Sequence, residues 1–347
     1  MKKVIMMVII IIVAVGTALV ILPTTPVPLP SPMEISDSGI DLVASGLKAP
    51  WAIDFTSDGR IFFTERIGNV RVIENDKLIT QPVFTTEVAM ISETGMLGLA
   101  LDPDFDINHF IYIYYTYVDI NDNLWNNVVR LKEQNKNIIE EKVLLDKIPG
   151  APTHDGGRIK FGPDGKLYIT TGDAANPILS QDLDSLAGKI LRINSDGSIP
   201  DDNPFPNSPV YSYGHRNPQG IAWHPTTKEL YSTEQGPIGN DEINIIKAGM
   251  NYGWPIEQCV AKEFIEPFIC YEVNITPAGA TFYSSDRLPY KNDLFFATLR
   301  NKHVEHLIFD NDYRKAENFL DGFGRIRDIA EGPDGYLYIA TSNGDER

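Results

Sequence analysis

From residue 40 onward the apolar and polar positions follow one recurring scheme, a turn of Pro, Asp or Gly followed by a short apolar and aromatic strand. Ser57-Asp58-Gly59 leads into Arg60-Ile61-Phe62, Asp102-Pro103-Asp104 into Ile111-Tyr112, and Gly162-Pro163-Asp164-Gly165 into Lys166-Leu167-Tyr168. His224-Pro225 leads into Leu230-Tyr231, Pro289-Tyr290 into Leu294-Phe295, and Gly332-Pro333-Asp334-Gly335 into Tyr336-Leu337-Tyr338. Runs of β-branched and aromatic residues bounded by such turns read as strands joined in hairpins. With Phe62, Tyr112, Tyr168, Tyr231, Phe295 and Tyr338 as anchors, the copies stand 50, 56, 63, 64 and 43 residues apart. That period suits four-stranded blades with insertions, so the pattern predicts an all-β fold, a six-bladed β-propeller. A two-sheet sandwich is the other all-β option, but it would not repeat at this period.

One copy carries chemistry at its open end. Pro at the second and Gly at the fourth position of Gly162-Pro163-Asp164-Gly165 suit a type I turn, which makes residues 158–171 a hairpin. Pairing about Pro163 and Asp164 sets Phe161 opposite Lys166 and His154, in Thr153-His154-Asp155-Gly156-Gly157-Arg158, opposite Asp173. A carboxylate beside an imidazole fixes its tautomer and leaves the other ring nitrogen free to act as a base. A histidine in a surface loop with an unrelated aspartate is the plainer alternative.

The N-terminus has a different pattern. Lys2 and Lys3 precede residues 4–22, an uncharged run about long enough to span a bilayer as a helix. A membrane anchor and a cleaved signal segment are the two readings, and both export the rest of the chain. Residues 23–38, with five prolines, read as a stiff tether, and 39–347 as the propeller domain. Leu337 to Thr341 is followed by only six residues, so the last blade is expected to take a strand from residues 39–45 or to be incomplete.

Composition narrows the partners. The net charge of −17 repels nucleic acid and anionic headgroups, and it requires that an anionic ligand sit in a local cationic well. Cys259 and Cys270, the only cysteines, are spaced for one disulfide in an oxidising compartment; two buried thiols are the alternative. Asn274-Ile275-Thr276 is an acceptor sequon.

Three further stretches are candidates for a site. Gly214-His215-Arg216-Asn217-Pro218-Gln219-Gly220 sets polar groups between turn formers just before a strand. Glu234-Gln235-Gly236-Pro237, Asn240-Asp241-Glu242 and Asn251-Tyr252-Gly253-Trp254-Pro255 combine carboxylates with irregular backbone whose carbonyls suit a hard cation, although an acidic surface loop has the same composition. Arg300, Arg325 and Arg327 are candidates for a carboxylate seat, with ordinary salt bridges as the alternative.

Taken in order, these stretches resemble the glucose/sorbosone dehydrogenase family, which includes soluble quinoprotein glucose dehydrogenases and aldose sugar dehydrogenases. The resemblance runs from about residue 40 to the end of the chain. It implies a six-bladed propeller that binds pyrroloquinoline quinone (PQQ) and calcium. His154 falls at the family's catalytic base, Asp173 at the aspartate that orients it, and Arg216 and Asn217 at positions that contact the quinone. Gly236 and Pro237 fall at backbone ligands of the calcium beneath PQQ, Glu242 and Tyr252 at a second calcium site, and Arg325 and Arg327 at carboxylate-binding arginines. Glu93 stands where the glucose enzyme has glutamine, Arg300 where it has lysine, and Thr153 where it has the aspartate before its catalytic histidine, which leaves the identity of the sugar open.

The resemblance implies oxidation of an aldose at its anomeric carbon to a lactone. His154 would take the hydroxyl proton as hydride passes to PQQ, with calcium and Arg216 stabilising the charge on the quinone oxygen. No Cys-x-x-Cys-His haem site occurs, so the electron acceptor is an external molecule. The competing classes are a calcium-dependent propeller hydrolase or lactonase and a non-catalytic cell-surface binding propeller. The sequence leaves the oligomeric state unspecified.

Overall fold

In the computed structural model of the chain, residues 8–12, 39–310 and 313–343 are described. They form an all-β propeller of six sheets, five with four strands and one with five. The first strands of these sheets are Pro50–Phe55, Met96–Leu101, Ile159–Phe161, Pro218–Trp223, Pro277–Phe282 and Ile326–Glu331. Consecutive sheets pack face to face, and the sheet of Ile326–Glu331 packs back on Pro50–Phe55. Each of the six aromatic anchors lies on the second strand of its sheet.

Those second strands explain why strict alternation is missing from the sequence. Ile61–Glu65, Leu167–Thr171, Leu230–Glu234 and Leu294–Thr298 are buried along their whole length. A sheet covered by a neighbour on both faces has no solvent side for polar residues to mark. Aromatic rings fill the spaces between sheets; Tyr168, for example, meets Trp223 of the next sheet edge to face at 5.0 Å. Such pairs contribute about 0.5–1.5 kcal/mol beyond the area they bury.

The hairpin register differs from the expected one by a single residue. Phe161 pairs with Leu167, not Lys166, and Ile159 with Ile169. Gly165 is the cause: it sits at φ +71°, donates to Gly162, and adds one residue after the type I turn before pairing begins. The same turn recurs at Gly332 to Tyr336, where Gly335 has φ +76°.

The sheet of Ile326–Glu331 and Leu337–Thr341 contains Ile40–Ser45, as expected, but not as a direct neighbour of Leu337–Thr341. Val8–Ile12 lies between them and runs parallel to both. Apart from residues 8–12, the expected anchor and tether lie outside the described residues. Among the described residues no helix is long and apolar enough to cross a membrane.

Polar side chains tie the sheets together across the central channel. Arg158 and Asp328, each about 1% exposed, form an ion pair at 2.9 Å, and the same Asp328 oxygen accepts from Ile53 N at 2.9 Å. Arg158 Nε donates to the Gln219 carbonyl at 3.0 Å, and its guanidinium lies 4.2 Å from the Trp51 ring centroid. Arg327 donates to Gln219 Oε1 at 2.9 Å. Four sheets therefore meet at one buried network. Removing one charge leaves the other unpaired in the interior, so Asp328→Ala should lose about 3–5 kcal/mol in denaturant unfolding. Arg158→Met in the same chain should recover much of that loss; equal loss in the single and double variants would show that the charges are not coupled.

Candidate active site

In every sheet the first and second strands form an antiparallel hairpin, so first strands start and second strands end at the same mouth of the channel. The loops between second and third strands and those entering each first strand meet there. His154 precedes the first strand Ile159–Phe161, and Asp173 follows the second strand Leu167–Thr171 of the same sheet. With the register moved by one, the His154 carbonyl faces the amide of Ala174, which donates to it at 3.2 Å. The side chains nevertheless meet: His154 Nδ1 is 2.8 Å from Asp173 Oδ1.

A backbone reversal makes this possible. His154 adopts φ +65°, a left-handed conformation that costs a non-glycine residue about 1 kcal/mol or more and persists only where neighbours enforce it. Several neighbours do. His154 N donates to Glu93 Oε2 at 3.1 Å, and Gly156 N donates to Asn217 Oδ1 at 3.0 Å. Gly172 is required beside it, because a Cβ there would lie 1.8 Å from the His154 carbonyl oxygen.

Asp173 is fully buried, and the His154 side chain is 21% exposed at the mouth. Asp173 Oδ1 also accepts from Ala175 N, and Oδ2 accepts from Trp254 Nε1 at 2.9 Å. Trp254 belongs to a long excursion after Asp241–Ile246 that climbs back to the mouth. Its backbone is held by the Gly214 carbonyl and by Gln181 Nε2, which donates to the Trp254 carbonyl at 2.6 Å. The Cys259–Cys270 disulfide, expected from the sequence, ties the excursion to the edge strand Ile269–Tyr271.

Arg216 completes the cluster. Its Nη2 lies 2.9 Å from His154 Nε2, while Nη1 donates to the carbonyls of Gln235 at 2.9 Å and Gly236 at 2.7 Å. A guanidinium only donates, so Nε2 is the bare nitrogen and Nδ1 carries the proton that faces Asp173. Burial holds Arg216 below its ordinary pKa, against the opposing pull of Asp173, Glu234, Glu93 and Asp241. The imidazole thus has the tautomer of a general base.

The other predicted residues take different places. Asn217 is buried with both ends of its amide engaged, by Gly156 N and by Gln235 Oε1 at 3.0 Å. Arg327 turns into the channel, Arg325 is half-buried just outside it, and Arg300 is exposed on a mouth-face turn. Arg216 Nε and Arg325 Nε are buried without a partner among the described residues. Pro237 is half-buried, and Gly236 lies against the Asn240 carbonyl, 1.9 Å from where a Cβ would be. Glu242 accepts from Cys259 N at 2.8 Å and from Asn244 Nδ2 at 3.2 Å. Its carboxyl is pushed up to about 7, first by burial and then by the charge of Glu234. The Tyr252 hydroxyl donates to the Ile245 carbonyl at 2.6 Å, and its ring stacks on His215. Among the described residues no three His, Cys, Asp or Glu side chains cluster as a metal site.

Two residues of the site were not singled out from the sequence. Trp254 was visible only as part of a Gly-Pro-rich run. Asp155 is 2% exposed; its Oδ1 accepts from Asn126 Nδ2 and Ala151 N, both at 3.0 Å, and its carbonyl accepts from the Tyr114 hydroxyl at 3.0 Å. It fastens the His154 loop to the preceding sheet. Burial pushes its carboxyl up to about 7, with Glu93 adding to the rise. A raised folded pKa means that stability present below the unfolded value near 4 is lost as pH rises toward 7. Asp155→Asn, neutral throughout, should therefore gain roughly 2–4 kcal/mol on the parent between pH 4 and pH 8. Thermal melts across that range check this, and a difference independent of pH would mean that Asp155 ionises normally.

Comparison with known proteins places this geometry. The sequence model of the Glucose / Sorbosone dehydrogenase family matches residues 47–347. Aldose sugar dehydrogenase YliI of Escherichia coli is 32% identical over 331 residues, which span 87% of this chain and 89% of that one. Quinoprotein glucose dehydrogenase B of Acinetobacter calcoaceticus is 36% identical over 62% of this chain, a match that spans about half of its own length, 52%. The PQQ-bound form of Aldose Sugar Dehydrogenase from Streptomyces coelicolor superposes with a TM-score of 0.78 at 33% identity, covering 88% of this chain and 91% of that structure. With its His154, Asp173 and Arg216 cluster at the mouth of an all-β propeller, the chain belongs to the glucose/sorbosone dehydrogenase family.

Proposed function

We propose that this protein is a PQQ- and calcium-dependent dehydrogenase that oxidises an aldose at its anomeric carbon to the lactone. The observation that carries this reading is His154 at the mouth, its Nδ1 2.8 Å from buried Asp173 and its Nε2 2.9 Å from Arg216, which can only donate. We read the six sheets as six blades around one channel, and the chain as exported.

The residues present fit the implied groups. Arg216 and Arg325 keep buried donor atoms unpaired beside the mouth, and with Arg300 and Arg327 they would seat the carboxylates of PQQ. The carbonyls of Gly236 and Pro237 would hold calcium beneath it. Glu234 and Glu242 share Asn244 as a donor at 3.4 and 3.2 Å, and a cation at Glu242 and Tyr252 would relieve their repulsion. PQQ, when bound, supplies the two-electron acceptor for hydride from the sugar.

The protein's own part is proton handling and orientation. Asp173 holds Nδ1–H, Trp254 fixes Asp173, and Nε2 takes the proton of the anomeric hydroxyl once that hydroxyl replaces Arg216 as its partner. Arg216, freed from Nε2, remains anchored to the Gln235 and Gly236 carbonyls with its charge directed into the pocket. Glu93 stands beside the base where its charge meets whatever sugar binds.

Two outcomes test this reading. His154→Gln should lower dye-linked aldose oxidation at least about a hundredfold while leaving PQQ binding intact by its absorbance change; near-parental turnover would end the base assignment. The protein freed of ligands should melt at a higher temperature with PQQ and calcium together than with either alone, as ligands that bind the native state require. An unmoved Tm at saturation of both would favour a non-catalytic binding propeller.

A further inference from the structure

The exposed large apolar side chains are not scattered. Among the described residues all but Ile107, Ile139 and Val143 lie on the mouth-face loops or on the excursion that climbs to them. Ile67, Met90, Ile120, Ile178, Ile238 and Val260 represent them, with Ile120 and Ile238 as exposed as in an isolated chain, at 99% and 101%. They belong to four consecutive sheets, those whose first strands are Pro50–Phe55, Met96–Leu101, Ile159–Phe161 and Pro218–Trp223. Single exposed apolar residues need no explanation, but their concentration on one face marks an interaction surface.

The same loops are acidic. Glu87, Asp122, Asp182, Asp184, Glu263, Glu266 and Glu272 are exposed on them, against Lys48, Lys147, Lys247 and Lys262 among exposed cations. The mouth-face cations Arg300 and Arg325 lie on the remaining two sheets, across the channel mouth from this arc. The arc thus combines apolar contacts with negative charge, beside the opening through which His154 is reached.

We propose that this arc is the docking surface for a small basic redox protein, one whose redox group is reached through an apolar patch ringed by Lys and Arg. The proposal rests on the dehydrogenase reading, which requires an external acceptor able to approach the mouth. Charge complementarity selects the partner: a chain of net charge −17 steers cations toward itself and repels a second copy of itself. Exposed carboxylates likewise disfavour an anionic bilayer. An encounter of this kind needs only a small, quickly released interface, which suits turnover.

Cytochrome c, which is basic, and its succinylated, acidic form are the probes, with dichlorophenolindophenol as a small acceptor. With PQQ, calcium and an aldose, native cytochrome c should be reduced at least about tenfold faster than the succinylated form at low salt, and that advantage should fall steeply by about 0.3 M salt. Asp122→Lys with Asp184→Lys, and separately Ile120→Ser with Ile178→Ser, should each slow cytochrome c reduction about tenfold and leave dye reduction unchanged. Equal rates for the two cytochromes, or variants that reduce cytochrome c at the parental rate, would overturn the proposal. If the dye is not reduced either, the enzymatic reading fails first. Docking is then read from low-salt co-sedimentation of ferricytochrome c with the protein, expected for the parent and lost in Asp122→Lys/Asp184→Lys. No co-sedimentation, a dimer dispersed by Ile120→Ser/Ile178→Ser, or salt-independent binding to phosphatidylcholine vesicles would also overturn it.

Discussion

The buried pair of Arg158 and Asp328 is the constraint on which the rest of the structure depends. A propeller's sheets meet at an axis where backbone and side chains are crowded and water is scarce, so polar groups placed there must find each other. Asp328 answers with one oxygen to Arg158 and to Ile53 N, while Arg158 reaches the Gln219 carbonyl and lies on Trp51. Gly279 makes room, since a Cβ there would sit 1.8 Å from Asp328 Oδ1. Arg158 is also only four residues beyond His154. The segment that locks the ring is the segment that carries His154, so the position of its imidazole relative to Arg216, on the next sheet, follows from the lock.

Within the site the decisive interaction is one that can be read in only one direction. An imidazole between an aspartate and another acceptor would have an ambiguous tautomer. Between Asp173 and a guanidinium the tautomer is set, because Arg216 has no lone pair to offer. The pocket therefore holds His154 with Nε2 bare, and the cost is a left-handed residue at 154 held by Glu93 and Asn217 and given room by the bare backbone of Gly172.

The anchors Phe62 to Tyr338 and the turn at Gly162 were legible because hairpin chemistry is local, and they gave the strand positions and the pairing of His154 with Asp173. The register was not legible to the residue, since a left-handed Gly165 adds one position that composition alone does not reveal. Compensation hid the error: the reversal at His154 returns its side chain to Asp173 although the backbone faces Ala174. Trp254 was out of reach for another reason. Its partner Asp173 is 81 residues away, and only the course of a long excursion brings them together. Asp155 reads as one more turn carboxylate until burial and Asn126 show otherwise. The strand Val8–Ile12 lies within the run whose hydropathy suits a membrane helix, because an apolar run without periodicity suits either environment.

His154 and Asp173 come from the two ends of a single hairpin, 19 residues apart. Their mutual geometry starts from one turn and a few rungs of one ladder, and Glu93, Asn217 and Trp254 from neighbouring sheets hold it in place. Insertions that leave those contacts in place can therefore resize the pocket without disturbing the pair. Loops on neighbouring sheets, such as those that carry Glu93 and Arg300, can thus be redrawn while the His154 and Asp173 pair travels as one short piece of chain.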